Sequence, residues 1–319
     1  MRHIFIFLVL WLCMPCGYAA DYPKGPVRII VGWAPGGIAD IAARILGQKL
    51  SEKWGHQVLV ENRPGASGMI ANGIAARAEA DGYTLMLATS PEVTTTPFIQ
   101  ENAPKYFINN FIPVTLTSIN PMVLVTTPAS PYKTVQELVA AAKEKPGGIA
   151  YSSAGTGSAP HLAAELFADA TGIKLEHIPY KGGAPAAVAV VAGEVPVGLV
   201  AMAGAVTYVK AGRLRVLGLT TAKRIKSVPE WPTIAEAGVP NFDSTVWTGL
   251  FVRKGTPPEI VRKLDSDFRE VLADPDILKQ FDAAGAIPGN ESLATFVERI
   301  KLDTYQNERI VRKSNIRAD

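Results

Sequence analysis

Two glycine-rich turns hold the residue types that could seat an anion. The stretch Ser153-Ala154-Gly155-Thr156-Gly157-Ser158 stands between a short apolar run and an alanine-rich segment. It combines backbone N–H groups with the hydroxyls of Ser153, Thr156 and Ser158 at the start of an expected helix. A carboxylate accepts up to about four hydrogen bonds, so this donor set suits it. Charge-assisted bonds contribute roughly 1.5–3 kcal/mol each, and a few of them support micromolar binding after ordering costs. The alternative is helix capping by the serine and threonine alone. His161, one turn further on, either faces the same pocket or is a satisfied structural histidine. The second turn is Pro35-Gly36-Gly37, where the absence of a Cβ lets a ligand approach the backbone. It reads equally as an ordinary βα turn.

Signals for catalysis are weak. His56, His161 and His177 show no HExxH or Cys/His spacing. Ser67 and Ser158 sit near glycines but outside G-x-S-x-G. Gly155-Thr156-Gly157-Ser158-Ala159-Pro160 is a half-match to a dinucleotide fingerprint, without the third glycine or the following acid. Asp40 sits in the first turn of a helix, where its charge favours the dipole, and no second carboxylate stands nearby to make a metal site. No catalytic residue, metal or cofactor is therefore expected. An exported α/β hydrolase is the alternative from another class, and it lacks a nucleophile with an oriented base.

The turns need elements to position them. Val27–Val31 is a β-branched run that reads as a buried strand, and Ile38, Ile41, Ala42 and Ile45 then share one helical face. Strands are expected at 58–60 and 84–88, with a helix at 70–79 between them. Alternation of this kind predicts a mainly parallel sheet, with ligands beyond the carboxyl ends of the strands. Pro35–Gly37 and Thr89-Ser90 both sit there. The pattern then returns. A strand at 149–152, the Ser153–Ser158 loop, a helix at 159–171, a strand at 175–178 and the Tyr180-Lys181-Gly182-Gly183 turn repeat the opening order. Gly36 and Gly65 are 29 positions apart and Gly155 and Gly183 are 28 apart, which suggests two related α/β lobes. Tyr180 and Lys181 either line the cleft or lie on the surface. Crossings near Pro121 and Trp247 predict a two-strand hinge on which the lobes close. Three helices at 257–272, 274–284 and 293–310 should pack on the first lobe.

The composition is that of a globular chain, 48% hydrophobic and 19% charged, with a net charge of only +3. No basic cluster interleaved with aromatics appears, which argues against nucleic acid. Arg2 and His3 precede the apolar run Ile4–Met14 and the exit Gly17-Tyr18-Ala19, the pattern of a secretory signal cleaved after Ala19 or Ala20. Cys13 and Cys16 both fall inside it, so the expected mature chain has no thiol chemistry.

The ordered motifs resemble one family. They are Ala34-Pro35-Gly36-Gly37 with Asp40 and Arg44, Glu61-Asn62-Arg63-Pro64-Gly65-Ala66, Asp81-Gly82-Tyr83-Thr84, Ser153–Ser158 with His161-Leu162, Pro179-Tyr180-Lys181-Gly182-Gly183, and Ser314-Asn315-Ile316. Together the set resembles the tripartite tricarboxylate transporter receptors, the Bug-type periplasmic solute-binding proteins. That resemblance implies a type II Venus-flytrap fold with two Rossmann-like lobes: 21–121 with 249–319, and 122–248, after a signal at 1–20. It implies a monomer that captures a small organic acid for membrane transporter subunits, or presents it to a sensor kinase. It carries the ligand role to Ala34, Pro35, Gly36 and Gly37, and to Ser153, Thr156, Gly157 and Ser158, with Thr89 and Ser90 at a pocket-lining strand end. Two stretches depart from the family. Glu101–Phe111 lacks the usual Leu-Pro-Tyr-Asp run, and Glu92 stands where small polar residues are common. A carboxylate near the cleft would disfavour a ligand's second carboxylate.

Overall fold

The computed structural model describes residues 22–99 and 109–317. The expected signal at 1–20, with both cysteines, and most of the Glu101–Phe111 departure lie outside the described residues. Eleven strands form two sheets among the described residues. The first has the order β11-β4-β10-β3-β1-β2, with β1 at Val27–Val31, β2 at Val58–Asn62, β3 at Thr84–Thr89, β4 at Phe111–Asn120, β10 at Val246–Arg253 and β11 at Ile287–Pro288. The second has the order β7-β6-β8-β5-β9, with β5 at Met122–Thr126, β6 at Ala150–Ser153, β7 at Glu176–Pro179, β8 at Val197–Ala201 and β9 at Arg215–Leu219.

Each sheet is buried on both faces, which is why its central strands are almost wholly apolar. On one face of the first sheet, Val27, Ile29 and Val31 pack against the helices Ile38–Trp54 and Pro258–Leu272. On the other, Ile30, Met86 and Ala88 join Trp247, Phe251 and Phe296. The second sheet repeats the arrangement. Tyr151, Val197 and Leu199 meet Phe167 of the helix Ala159–Thr171, while Val123, Val125 and Val200 meet Ala186 and Val190 of the helix Gly183–Val191.

The sheets are mixed, and this corrects the expectation of mainly parallel pairing. β1 pairs in parallel with β2 and β3, and β6 with β7 and β8. β10 runs antiparallel to both β3 and β4, and β5 antiparallel to β8 and β9. A strand that enters a sheet from the other lobe arrives from the opposite end, so it cannot follow the βαβ direction. Pro121 alone separates β4 from β5. The chain returns between Leu219 and Val246, and the two crossings are tied by Thr220, whose N–H donates to the Met122 carbonyl at 2.9 Å and whose hydroxyl accepts from the Met122 N–H at 3.1 Å. At the first-sheet side, Thr248 Oγ1 lies 2.6 Å from Thr117 Oγ1 and 2.7 Å from Ser118 Oγ, all three buried.

Two local readings change. Ile38 and Ile41 are both exposed, and the buried face of their helix is Ala39, Ala42, Ala43, Leu46 and Leu50. The small alanines let the helix lie close on the sheet. The last helix, Leu293–Lys313, reaches beyond the first lobe. Its Arg309 pairs with Asp169 at 2.7 Å, Lys313 pairs with the same carboxylate, and Ser314 just past its end donates to Glu165 at 2.6 Å. Ile310 and Val311 pack with Leu162 and Ile99.

Phe296 anchors this helix, with its ring 5.2 Å from Trp247 and 5.9 Å from Phe251 and no solvent exposure. Phe296→Ala is expected to lower unfolding free energy by roughly 3–5 kcal/mol, measured by chemical denaturation.

Candidate functional site

The two glycine turns face each other across a cleft of about 690 Å3. One wall follows the carboxyl ends of β1, β2 and β3 and consists of Trp33, Gly37, Ile38, Ser67, Thr89 and Pro91. The opposite wall follows β6 and β7 and consists of Ala154, Thr156, Gly157, Ser158, Ala159, Gly182 and Gly183. Thr96, Ile99 and Val246 complete the lining.

Three helices start at this cleft: Ile38–Trp54 after Gly37, Ala159–Thr171 after Ser158, and Gly183–Val191 after Gly182. Pro160 and Pro185 have no N–H and the His161 N–H is taken by Ser158 Oγ, but the other first-turn N–H groups have no intrahelical acceptor, and the dipoles place partial positive charge at the same ends. Among the described residues, no Asp, Glu, Lys or Arg side chain lines the cleft. The wall itself therefore offers backbone dipoles and hydroxyls in place of a fixed charge. Among the described residues, no group of three His, Cys, Asp or Glu could hold a metal ion.

Both turns are held by the same device. The Gly36 N–H donates to Asp40 Oδ2 at 2.9 Å, and the Gly157 N–H donates to His161 Nδ1 at 3.0 Å. In each case the acceptor lies four residues on, inside the following helix. Both glycines have left-handed backbone, φ +85° at Gly36 and φ +72° at Gly157, so a side chain at either would strain the turn. Burial pushes the Asp40 carboxyl up, but bonds from Arg44, Gly36 and Asn62 outweigh it and hold the group below its ordinary value.

The structure brings Gly37, Thr89, Thr156, Gly157 and Ser158 to the cleft wall. Ala34, Pro35 and Gly36 are exposed on the first turn, and the Gly36 N–H is already taken by Asp40. Ser90 and Ser153 are placed differently from the expectation, and His161 takes the structural one of its two readings in place of the pocket-facing one. Ser90 Oγ accepts from the Trp247 N–H at 3.3 Å and lines a separate cavity of about 40 Å3 beside Asp243 and Asp303. Ser153 is fully buried, 2.6 Å from His177 Nε2, and its hydroxyl also accepts from the Gly155 N–H at 3.1 Å. His161 is buried and stacks on His177 with centroids 3.8 Å apart and planes 13° from parallel. Both hold the loop from behind, because a polar group at a strand end or one turn into a helix is covered once that helix packs. The Ser153–His177 contact joins a hydroxyl to a base, but the serine has no exposed surface from which to attack a substrate. Ser158 caps its helix: its hydroxyl donates to the Gly155 carbonyl at 2.6 Å and accepts from the His161 N–H. Thr156 is exposed on the cleft wall, and its hydroxyl has no partner among the described residues.

Sequence reasoning missed Trp33, Ser67 and the helix start at Gly183. The sequence reads Gly182-Gly183 as a turn only, and Pro185 in the first turn of the helix was the available signal, since proline is tolerated there. Glu92 also proves different. It lies beneath the cleft wall as the third residue of a capping box on Thr89, with no exposed surface.

Burial, and then the neighbouring His177, push His161 down to about 4 from an ordinary 6.5. The unfolded imidazole takes up a proton near 6.5, and the folded one resists until about 4. Stability from this group is thus full above about 6.5 and lost as pH falls to about 4. Denaturation across that range should show His161→Gln with a flatter acid-side decline than the parent chain.

Comparisons with known proteins place most of the chain. A profile described as the tripartite tricarboxylate transporter family receptor matches residues 42–316. The chain is 35% identical to the protein BugT of Bordetella pertussis over 271 residues, 85% of this chain and 83% of that one. A solved R. palustris protein with adipate is 31% identical with a TM-score of 0.77, covering 93% of this chain and 99% of that one. The MatC protein of Rhodopseudomonas palustris with bound malate is 26% identical with a TM-score of 0.73, covering 91% and 100%. The chain belongs to the tripartite tricarboxylate transporter receptor family of periplasmic solute-binding proteins.

Proposed function

We propose that this protein, as a periplasmic monomer, captures a small organic acid by its carboxylate and delivers it to the membrane subunits of a tripartite transporter. The observation that carries the ligand class is the convergence of three helix N-termini on one cleft without a fixed charge on its wall. Such ends seat anions by unpaired N–H groups and dipole together. Thr156 adds a free hydroxyl on the second wall. Trp33, Ile38 and Ile99 supply apolar surface for the rest of the acid. The relatives solved with adipate and malate hold acids of this class. The charged start, apolar run and small-residue exit of residues 1–20 support export. The ligand set we propose is Gly37, Thr89, Thr156, Gly157 and Ser158, with Ala34–Gly36 at the rim and Ser153 and His161 positioning the loop.

Thermal-shift screening against acetate, hexanoate, benzoate, malate, adipate, citrate and neutral amides tests the ligand class. A carboxylate at about 100 times its Kd should stabilise the fold by about 2.7 kcal/mol. A response confined to neutral or cationic compounds would overturn the reading.

Two substitutions test the site. Thr156→Val should weaken binding by about tenfold, the share of one hydrogen bond to a charged group. At Gly183 an added Cβ meets nothing within 4 Å, so Gly183→Val leaves the fold intact and narrows the cleft. Titration calorimetry should show its binding abolished, and unchanged affinity would exclude that wall.

A further inference from the structure

Beneath the first wall of the cleft lies a carboxylate with no cation beside it. Glu92 is fully buried. Its Oε2 accepts three hydrogen bonds: from the Trp33 indole N–H at 2.9 Å, the Thr89 N–H at 2.6 Å and the Thr89 hydroxyl at 2.9 Å. Its Oε1 has no partner and no solvent. Trp33 and Thr89 both line the cleft, so Glu92 sits one side chain's depth behind the wall. Room for it is made by Gly32 and Gly68, where a Cβ would stand 2.4 and 2.0 Å from Oε1. Charged groups on the surrounding elements are engaged elsewhere: Asp40 with Arg44, Arg299 with Glu291, and Asp303 with the Trp247 indole N–H. Burial pushes the Glu92 carboxyl up to about 7 against the hydrogen bonds that lower it.

Resting on the carboxylate reading of the cleft, we propose that Glu92 is a specificity-determining residue that makes anion capture proton-linked. Ionised, it repels a carboxylate held at the wall. Binding therefore favours the protonated form of Glu92 and draws a proton from solvent onto whatever fraction is ionised. The acceptor is Oε1, since Oε2 is already saturated by three donors. The bound state is then a ligand anion beside a neutral carboxylic acid, and a second charge on the ligand adds to the repulsion when Glu92 is ionised. A solely structural role, as the capping-box partner of Thr89 and the anchor of Trp33, would leave affinity independent of Glu92 ionisation.

The test is titration calorimetry with the tightest-binding carboxylate of the thermal-shift panel, on the parent chain and on Glu92→Gln. The amide keeps an acceptor for Thr89 and Trp33 but cannot ionise. Parent affinity should fall by about tenfold between about pH 6 and pH 8.5, and that of E92Q by less than about twofold. His161, His177 and Asp303 have displaced titrations of their own, and the difference between the two proteins removes their shares. A second measurement needs no variant. Heats measured near neutral pH in buffers of different ionisation enthalpy should show uptake of a substantial fraction of one proton per ligand bound by the parent chain. Equal pH profiles for both proteins, or no proton uptake by the parent, would overturn the role of Glu92 and leave carboxylate capture standing. Failure of the parent chain to bind any acid of the panel across the pH range would overturn the capture reading and this inference with it.

Discussion

The cleft depends on a single kind of contact: a turn N–H held by an acceptor one helical turn further along the chain. Asp40 does this for Gly36 and His161 does it for Gly157. Each contact closes a loop that glycine's left-handed backbone makes possible, and in each the next N–H turns back on the same loop, from Gly37 to the Ala34 carbonyl and from Ser158 to the Gly155 carbonyl. The two lobes solve the same geometric problem with different chemistry. Asp40 is charged, so it needs Arg44, which bonds it at 2.9 Å. His161 is neutral, so it is kept by stacking on His177 and by burial. A charged acceptor at both turns would have set negative charge against the positive helix ends from either side.

The crossings between the two walls rest on a frame within the first sheet. β10 lies between β3 and β4 and runs against both, and Thr248 on it meets the hydroxyls of Thr117 and Ser118 without solvent. Buried hydroxyls that satisfy one another fix register, because a slip would leave each unpaired at a cost of roughly 1–3 kcal/mol. The last helix adds a second tie. Arg309 and Lys313 converge on Asp169 of the second lobe, while Ile310 and Val311 pack on Leu162. Exposed ion pairs of this kind contribute little individually, so the apolar cluster sets the strength of the tie and the charges set its register.

Electrostatics inside the cleft are a balance between distributed and localised charge. Three helix ends offer partial positive charge with no counter-charge on the wall. Glu92 stands behind the wall without a cation and with one oxygen unpartnered. Burying a carboxylate so completely is costly unless it is paired or neutral. The hydrogen bonds from Thr89 and Trp33 offset part of that cost and order two side chains of the cleft wall.

Local pattern made much of this protein readable. The β-branched run Val27–Val31, the helix 159–171 with proline in its first turn, and the repeated strand, glycine turn and helix all follow from short-range stereochemistry, and they appear where periodicity placed them. The ordered motifs pointed to the family for the same reason, since each encodes a turn. What sequence alone did not decide was direction and depth. Ser153, His161 and Ser90 carry the right groups at the right positions along the chain, yet packing turned them inward. Gly183 looked like part of a turn and became the start of a helix. Glu92 looked like a residue at the cleft and became a buried group behind it. The mixed strand directions came from the crossings between lobes. Spacing along a chain specifies which groups are neighbours in an element, but which side of that element meets water is settled only when another part of the chain covers the opposite side.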